Sequence, residues 1–417
     1  MRISRSVSTA AVVSVAVFGF SAFGGIAPDR GAPEGNGPTA ITFWNNYTAA
    51  DRPAVEALVQ EFNDSQNVAV VDMTIQPFDV LTDTILPAYA AGEGPTVLAL
   101  DASFAPSFAD QGVIQPIDDV FDATDLTADV LPQASLDAAT VDGSLYGVPF
   151  GATPMMLYWN RTLFEEAGVD GPPATLDEMA ETAVAIADPD NEQYGFALSH
   201  EANQWAQLMW ANGGGVVSED RTESIFGSPE SIEAVDFWSG LMIDQGISPV
   251  GLNGADADAL FGAGRAGMLI NGPWVSTGLI EAGMDFGIAP VPAGDATQMA
   301  VAISVILYLN ADATDAEKAA VYEFMEFWNS VETQTEWALA TGWPPSRIDV
   351  APETLADNPT SQAFAQPTNS RFYLGGITNA AQIDNDVVIP TIQRIINGVG
   401  TAEELMPEAA EQINDLL

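Results

Sequence analysis

Few side chains in this sequence could carry out covalent or metal chemistry. Its 417 residues include no cysteine and a single histidine, His200. Thiol catalysis, disulfide bonds, iron–sulfur clusters and cysteine-ligated zinc are therefore excluded. A metal site built from several histidines is excluded as well, and a Ser-His-Asp site could use only His200 as its base. We therefore expect a protein without a resident metal or cofactor.

Two stretches match the letters of ligand-binding motifs but not their context. Gly262, Gly264 and Gly267 give the spacing G-x-G-x-x-G, and a dinucleotide site needs this motif between a strand and a following helix. Here a helix is predicted before the glycines and a strand after them, which indicates a helix end and a turn. The acidic run 188–192 starts like a calcium loop, but Gln193 stands where such a loop requires glycine. A solvated turn is the better interpretation.

Aromatic, amide and acidic side chains follow the predicted strands, a pattern that favours sugar binding. Aromatic faces stack on the C–H patches of a sugar ring, and carboxylates, amides and arginine bind its hydroxyls. Residues at the ends of parallel strands lie in the crevice of an open α/β sheet. The candidates near such ends or in loops are Trp44, Asn45, Asp101, Ser103, Trp205, Trp274 and Trp343.

Core packing is the alternative role for every tryptophan. The tryptophans at apolar, periodic positions are assigned to the core: Trp159, Trp238, Trp328 and Trp337. The loop setting of Trp44, Trp274 and Trp343 favours ligand contact. For Trp205, which follows Asn203 and Gln204, a binding loop and a buried helix face remain equally open.

The elements that must position these residues alternate between strand and helix from residue 40 onward. A helix is predicted after Asp51 and Pro53 because apolar residues recur there at helical spacing. Strands are predicted at 40–44, 68–75, 95–100, 155–159, 195–198, 267–270, 286–289 and 300–309. The βαβ rhythm predicts a parallel α/β sheet with its ligand at the carboxyl ends of the strands.

Local signals mark several helix ends. Ser228 and Pro229 are predicted to open a helix that Gly246 ends. Capping boxes are predicted at the pairs Thr175 with Glu178 and Thr314 with Glu317. The chain from 380 to 417 is predicted to be helical.

Residues 1–27 are interpreted as an export signal. Arg2 and Arg5 precede an almost wholly apolar run from 9 to 27, which fits a secretory signal or an uncleaved anchor. The proline- and glycine-rich stretch 28–38 is interpreted as a flexible leader. We therefore expect an extracytoplasmic location, periplasmic or at the cell surface.

The charge balance restricts the partners. Fifty-eight Asp and Glu residues against 11 Lys and Arg give a net charge of −47. Nucleic acids need clustered Lys and Arg, so no nucleic acid partner is expected, and an anionic membrane surface is disfavoured. The acidic residues are spread along the chain, a pattern that suits high salt. We hypothesise a salt-loving source, with an ordinary acidic secreted protein as the alternative.

Several stretches together resemble the extracellular solute-binding proteins of bacterial ABC importers, in the carbohydrate-binding group that includes the maltose-binding protein. They are ITFWNNY, GPTVLALDASFAPSFADQGVIQPID, LYGVPFGATPMMLYWNRTLFEEAG, FGAGRAGMLINGPW and FGIAPVPAG. The resemblance implies an α/β fold of two lobes joined by a hinge of crossing strands. It assigns 39–147 with 300–341 to lobe 1, and 148–299 with 342–417 to lobe 2.

The same resemblance implies a function. A monomeric protein captures a small carbohydrate between its lobes and delivers it to the membrane permease subunits of the importer, without doing chemistry. The ligand contacts that it implies are Trp44, Asn45, Asp101, Ser103, Trp274 and the loop of Trp343. The family's Gram-positive members carry a lipid-anchoring cysteine, which this chain lacks. It is therefore expected to be free in a periplasm-like space or held by its signal.

Two other functions remain open. The stretch NSRFYLGG resembles family members that bind glycerol 3-phosphate or its diesters, in which Arg371 would hold the phosphate. A neutral sugar is favoured over this because an anionic ligand would approach against the charge of the chain. A secreted glycosidase would need two carboxyl groups across the scissile bond. Only Asp101 lies at a predicted crevice position, and no partner for it is found.

Overall fold

The computed structural model describes residues 37–366 and 368–417. The segments 1–27 and 28–36, predicted as export signal and leader, lie outside this range. The strands are β1 Thr39–Asn45, β2 Ala69–Ile75, β3 Val97–Asp101, β4 Thr140–Val141, β5 Ser144–Leu145, β6 Gly147–Pro154, β7 Met156–Asn160, β8 Tyr194–Phe196, β9 Ala266–Asn271, β10 Phe286–Ala289, β11 Ala300–Leu309 and β12 Ser370–Phe372.

Helices connect and cover these strands. They are α1 Arg52–Ser65, α2 Phe78–Ala91, α3 Ala105–Asp110, α4 Val120–Ala123, α5 Gln133–Ala138, α6 Arg161–Ala167, α7 Leu176–Ile186, α8 Ala202–Ala211, α9 Pro229–Gln245, α10 Gly254–Gly262, α11 Ser276–Glu281, α12 Asp315–Trp328, α13 Val331–Thr341, α14 Pro359–Phe364, α15 Ala380–Gln382, α16 Ile389–Ile396 and α17 Ala402–Asn414. Short 3₁₀ turns at Ala49–Asp51, Ala102–Phe104 and Pro273–Val275 lie beside strand ends. None of the helices in the described ranges is both long and apolar enough to cross a membrane.

The first sheet has the strand order β12-β11-β3-β1-β2, with β6 paired to β11. β1 is parallel to β2 and β3, as predicted. β11 is antiparallel to both β3 and β6. The second sheet has the order β10-β7-β9-β8, in which only β8 and β9 are parallel. The prediction of a parallel sheet is therefore confirmed for β1–β3, β8–β9 and β11–β12 and wrong for the other strand pairs.

The antiparallel strands connect the two sheets, which explains their direction. β6 belongs to the first sheet and is followed after one residue, Met155, by β7 of the second sheet. β11 returns to the first sheet, so β6 and β11 run side by side in opposite directions. The expected lobe boundary at 147/148 falls at the start of β6, which pairs with β11 in the first sheet except at Phe150, where the register shifts.

β11 also joins the two hydrophobic cores. Its first residues, Ala300 and Val301, pack in the core of the second sheet. Val305 and Leu307 pack in the core between the first sheet and α1 and α12. Because nearly every residue of β11 is buried, its sequence is apolar apart from Ser304 rather than alternating.

Most of the predicted helix ends are confirmed. Thr314 and Glu317 form the full capping box of α12, and α9 begins after Ser228 and ends at Gly246. The Thr175 hydroxyl accepts from the Glu178 N–H. The Glu178 carboxylate, however, accepts from the backbone of Ala174 rather than completing the box.

The glycine motif and the C-terminal segment also follow the prediction in outline. α10 ends at Gly262, Gly264 has a φ of +72°, and β9 starts at Ala266. The motif thus follows a helix and precedes a strand. Residues 380–414 form α15, a π-helical stretch at Ile383–Val388, α16 and α17, with a non-helical turn between the last two helices.

Candidate functional site

Asn45 and Asp101, two of the candidates, end the parallel strands β1 and β3. The Asp101 carboxylate accepts from the Ser103 N–H at 2.9 Å. Burial raises the pKa of Asp101, and hydrogen bonds from Ser103 and from the Ser304 backbone oppose this rise. Asn45 is fully buried and uses Oδ1 to accept from the Tyr47 N–H. The sheet therefore brings Asn45, Asp101 and Ser103 to one edge, with Ser304 of β11 beside them.

Two of these groups have polar atoms that the protein does not satisfy. Asn45 Nδ2 and Ser304 Oγ are buried and have no hydrogen-bond partner among the described residues. A buried polar group without a partner loses its hydration without compensation, which destabilises the fold by about 1–3 kcal/mol. Such groups need a specific explanation, and an absent ligand or water is one.

Tyr47, Asp51 and Trp343 form an aromatic and acidic group behind the same edge. The Tyr47 ring lies 5.5 Å from that of Trp343 and 5.1 Å from that of Trp337. Trp343 Nε1 donates to Asp51 Oδ2 at 3.0 Å. Asp51 Oδ1 and the Tyr47 hydroxyl are buried without a partner in the part of the chain that the structure describes.

Burial determines the protonation of this group. It raises the pKa of Asp51 to about 7, against the effect of the hydrogen bond from Trp343. It also raises the pKa of Tyr47 well above its usual value, and the charges of Asp51 and Asp101 add to this rise. The Tyr47 hydroxyl therefore keeps its proton and can donate it. Gly151 leaves room beside that hydroxyl, because a Cβ there would lie 3.0 Å from it.

Trp274 connects the two halves of the molecule. It lies in the 3₁₀ turn that follows β9, as predicted, and its ring covers Gly272, where a Cβ would collide with it. It packs against both large cores, and its ring is 5.6 Å from Trp343 at an angle of 42°. Close by, Thr277 Oγ1 donates to the carbonyl of Thr341. The Trp274–Trp343 pair therefore lies where the two cores meet.

A second polar group lies where β8 and β9 end. His200 Nδ1 and Asn203 Oδ1 are buried, and neither has a partner within the described ranges. Asn271, the last residue of β9, donates to the Asp258 carboxylate. Burial raises the pKa of Asp258 to about 7, and the charge of Glu201 adds to this rise. The second sheet thus presents its own unsatisfied groups at the edge where its parallel strands end.

Trp205 is buried on α8, which favours the core-packing role over the ligand contact that was left equally open. Its side chain is fully buried, and its indole N–H donates to the carbonyl of Ser199 at 2.9 Å. Its one polar atom is therefore satisfied within the protein, unlike those of Asn45 and Ser304. Trp44 is partly buried against the core that contains Leu81 and Ile85.

Arg371 lies apart from the residues above. It belongs to β12, opposite Val301 of β11. Its guanidinium lies 4.1 Å from the centroid of the Trp210 ring, and it lines a cavity of about 40 Å³ together with Arg221. Across residues 37–366 and 368–417, no hydrogen bond or ring contact joins Arg371 to Asp101, Trp274 or Trp343. The cavity lined by Arg221 and Arg371 is therefore separate from the group formed by Tyr47, Asp51, Trp274 and Trp343.

Five residues of the candidate site are not among those predicted from the sequence: Tyr47, Asp51, His200, Asn203 and Ser304. Tyr47 and Asp51 follow β1 closely, and His200 and Asn203 follow β8, so their position after a strand was an available signal. Ser304 lies within an apolar strand, and no sequence pattern marks it. Within the described ranges, no three His, Asp or Glu side chains converge as a metal site would require.

Known proteins resemble this chain over most of its length. A binding protein of Brucella abortus (strain 2308) is 26% identical over 384 residues, which cover 89% of this chain and 91% of the relative. The maltotriose-binding protein of Pyrococcus abyssi is 28% identical over 259 residues, 61% of this chain and 54% of the relative. The sn-glycerol-3-phosphate-binding periplasmic protein of Agrobacterium fabrum is 24% identical over 415 residues, 90% and 91% respectively.

Solved structures share the fold. A solute-binding protein of an ABC transporter from Thermotoga lettingae, bound to α-D-tagatose, superposes with a TM-score of 0.82 at 24% identity and covers 91% of this chain and 99% of its own. A Mycobacterium tuberculosis protein in complex with glycerophosphocholine superposes with a TM-score of 0.80 at 20% identity, over 92% and 98%. The chain thus has the two-lobed α/β fold of periplasmic binding proteins. The model of the bacterial extracellular solute-binding protein family matches residues 57–363, and the chain belongs to this family.

Proposed function

We propose that this chain is the extracytoplasmic carbohydrate-binding protein of an ABC importer, which closes two lobes around a neutral sugar and delivers it to the permease. The observation that carries the proposal is the set of buried, unpartnered polar atoms near the ends of the parallel strands of both sheets, together with the Trp274–Trp343 pair that packs against both cores. These atoms are Asn45 Nδ2, Tyr47 Oη, Asp51 Oδ1 and Ser304 Oγ on one side, and His200 Nδ1 and Asn203 Oδ1 on the other.

The chemistry of these atoms fits a polyhydroxylated ligand. They include donors and acceptors, and a sugar hydroxyl can serve both. The tryptophan rings offer flat apolar faces for the C–H side of a sugar ring. A ligand that satisfies groups from both sheets binds the closed arrangement more tightly than the open one, and this difference drives closure.

We propose export through residues 1–27, a monomeric state, a flexible leader at 28–38, and two lobes at 39–147 with 300–341 and at 148–299 with 342–417. The salt-loving source remains a hypothesis supported by the net charge of −47. We propose no catalysis, because the family consists of binding proteins. Hydrolysis of a chromogenic glycoside by the purified protein would contradict this.

Small-angle scattering and calorimetry with a panel of neutral sugars test the proposal. We expect one class of sugar to compact the protein and raise its melting temperature. Tyr47→Phe removes one unpartnered hydroxyl and is expected to weaken the binding of that sugar by about 1 kcal/mol. Tyr89→Phe is the matched control, because the Tyr89 hydroxyl is also buried and unpartnered in the described structure but lies on α2. Neither compaction nor stabilisation with any sugar would refute the proposal.

A glycerol 3-phosphate or glycerophosphodiester ligand is the second candidate function, and the cavity of Arg371 favours it. In the described ranges, five cationic side chains form ion pairs: Arg52, Arg161, Arg265, Lys318 and Arg347. Arg221, Arg371 and Arg394 form none there, and Arg221 and Arg371 line one cavity together with Glu219. Unpaired guanidinium groups in so acidic a protein suit a phosphate or carboxylate group.

Titration with glycerol 3-phosphate separates the two candidates. If the ligand is a phosphate ester, Arg371→Gln should abolish its binding because the bidentate cationic contact is lost. A neutral sugar should lose at most part of its affinity in the same variant. Arg394→Gln is the control, since Arg394 lies in the last turn of α16 away from this cavity. If titration of the wild type with glycerol 3-phosphate releases or absorbs no heat, the phosphate-ester function is excluded.

A further inference from the structure

A groove with an apolar floor and an acidic rim lies between α9 and the start of α17. Its volume is about 710 Å³, within the range of about 300–1,000 Å³ that is typical of clefts that accept a ligand group. The residues that line it are Pro229, Ile232, Glu233, Asp236, Phe237 and Glu403. All of them are exposed except Ile232, which is partly buried. The groove shares no residue with the candidate site.

The floor of the groove is supported by the core of the second sheet. Phe237 is 46% exposed, and its ring lies edge-on to the buried ring of Trp238, with centroids 5.5 Å apart. Trp238 in turn packs against Phe196 at 5.9 Å. Ile232 packs against the same core. The groove therefore presents apolar surface to solvent on a support that is itself packed.

Two contacts at the start of α17 hold the rim beside this floor. The Ala402 N–H donates to Asp236 Oδ1 of α9 at 3.2 Å. Thr401 and Glu404 form a full capping box at the first turn of α17. Glu403, which lies between these residues, is therefore fixed at the groove by the fold of both helices.

The rim is negatively charged and has no cationic partner. The acidic residues of the two helices are Glu230, Glu233, Asp236 and Asp244 on α9, and Glu403, Glu404, Glu408 and Glu411 on α17. Neither helix contains Lys or Arg. Within residues 37–366 and 368–417, no Lys or Arg pairs with Glu233, Asp236 or Glu403. An occupant that supplies positive charge and apolar surface therefore complements the groove.

This complementarity restricts the occupant to one chemistry. An anionic membrane surface is repelled, and a second copy of this chain brings the same net charge of −47. Lys and Arg side chains combine an aliphatic stem with a cationic head, and Arg also stacks on aromatic rings. We propose that the groove is the docking surface for a basic, amphipathic segment of a partner protein. Its cationic groups pair with Glu233 and Glu403, and its apolar side chains pack on Phe237.

Fluorescence anisotropy with a labelled synthetic peptide tests the docking surface. The probe carries arginine on one helical face and leucine on the other, and a second peptide has the same arginines with serine in place of leucine. In about 0.1 M NaCl, we expect the wild type to bind the first peptide more tightly than the second. Phe237→Ala should weaken binding of the first peptide about tenfold because apolar contact is lost. Ile280→Ala is the control, since Ile280 is 56% exposed on α11, and should leave binding unchanged.

A pair of double variants tests the acidic rim at constant net charge. Glu233→Gln with Glu403→Gln should weaken binding of the first peptide about fivefold in the same buffer, because two cationic contacts are lost. Glu230→Gln with Glu408→Gln is the matched control. It removes one exposed carboxylate from each of the same helices, and neither residue lines the groove. The control pair should have a much smaller effect.

The contrary outcomes are distinct. If Phe237→Ala binds the first peptide as tightly as the wild type, if both peptides bind equally, or if the two double variants have the same effect, the acidic surface attracts the peptide at no particular position and the docking surface is refuted. The absence of binding to the wild type also refutes it. If sedimentation equilibrium shows a dimer that Phe237→Ala abolishes, the groove belongs to a second copy instead. Each of these results leaves the sugar-binding proposal standing, and unchanged melting temperatures show that the variants are folded.

Discussion

Trp274 can either stack on a ligand or hold the two cores together, and its substitution separates the roles. Trp274→Ala is expected to weaken sugar binding by about 1–3 kcal/mol, the range for burying a large apolar side chain. Because Trp274 is only partly buried, we expect a smaller loss of folding free energy than the 3–5 kcal/mol typical of buried tryptophan truncations, as an order-of-magnitude guide. Isothermal titration and urea unfolding measure the two quantities.

Trp159→Ala is the control for Trp274→Ala. Trp159 is also a partly buried tryptophan, and it lies on β7 with the Arg161 guanidinium over its ring. The Trp159→Ala substitution should reduce the unfolding free energy without changing the affinity for the sugar. A large drop in unfolding free energy for Trp274→Ala, with unaltered affinity, would assign Trp274 to core packing alone.

Which site residues could be found from the sequence depends on where their partners lie. Asn45, Asp101 and Trp274 end or follow strands, and strand ends can be located from the apolar pattern alone. The role of Asp51 depends on Trp343, its hydrogen-bond partner 292 positions later. No local pattern predicts such a pair. The distant contact explains why Asp51 is absent from the predicted set, whereas Tyr47, His200 and Asn203 are absent although they follow strands.

Helices and strands can be predicted from the sequence where the local residue pattern determines them. They cannot be predicted in detail where packing against distant residues determines them. β11 was predicted at its observed bounds, 300–309, because a long apolar run has one plausible structure there. α8 is different, since nearly all of its residues are buried, including Trp205 and Gln207. A helix that is buried all round has no polar face to show its orientation. The sequence could not decide between a core and a ligand-binding role for Trp205 for this reason.

Strand direction is also a property of packing rather than of the local pattern. The sequence of β6 or β11 contains nothing that distinguishes a parallel from an antiparallel neighbour. The direction follows from the connection, because β6 leads toward the second sheet and β11 returns to the first. The βαβ rhythm at the start of the chain therefore predicts the parallel pairing of β1 with β2 and β3, but it does not predict the antiparallel pairing of β6 and β11.

At the scale of the whole molecule, buried carboxyl groups and the net charge of −47 affect stability in the same direction. Burial raises the pKa of Asp384 from 3.8 to about 7, although the Tyr373 hydroxyl donates to it. The pKa values of Asp51 and Asp258 are raised to a similar value, also by burial. Between the unfolded and folded pKa, the folded state holds a proton that the unfolded state has released. Stability from these groups is therefore present below pH 4 and is lost as the pH rises through about 7.

We therefore predict that the unfolding free energy falls between about pH 5 and about pH 8, and that salt corrects only part of this fall. Salt screens repulsion between exposed carboxylates but has little effect on a buried carboxyl. Asp384→Asn keeps an acceptor for the Tyr373 hydroxyl and cannot ionise, so it should remove up to about 3 kcal/mol of the fall between these two pH values. Urea unfolding at both pH values, in about 0.1 M and about 2 M NaCl, measures this. Asp285→Asn is the control, because Asp285 is an exposed partner of Arg161. If high salt abolishes the whole pH dependence of the wild type, or if both variants change it equally, surface repulsion alone accounts for the effect and the buried carboxyl groups do not contribute.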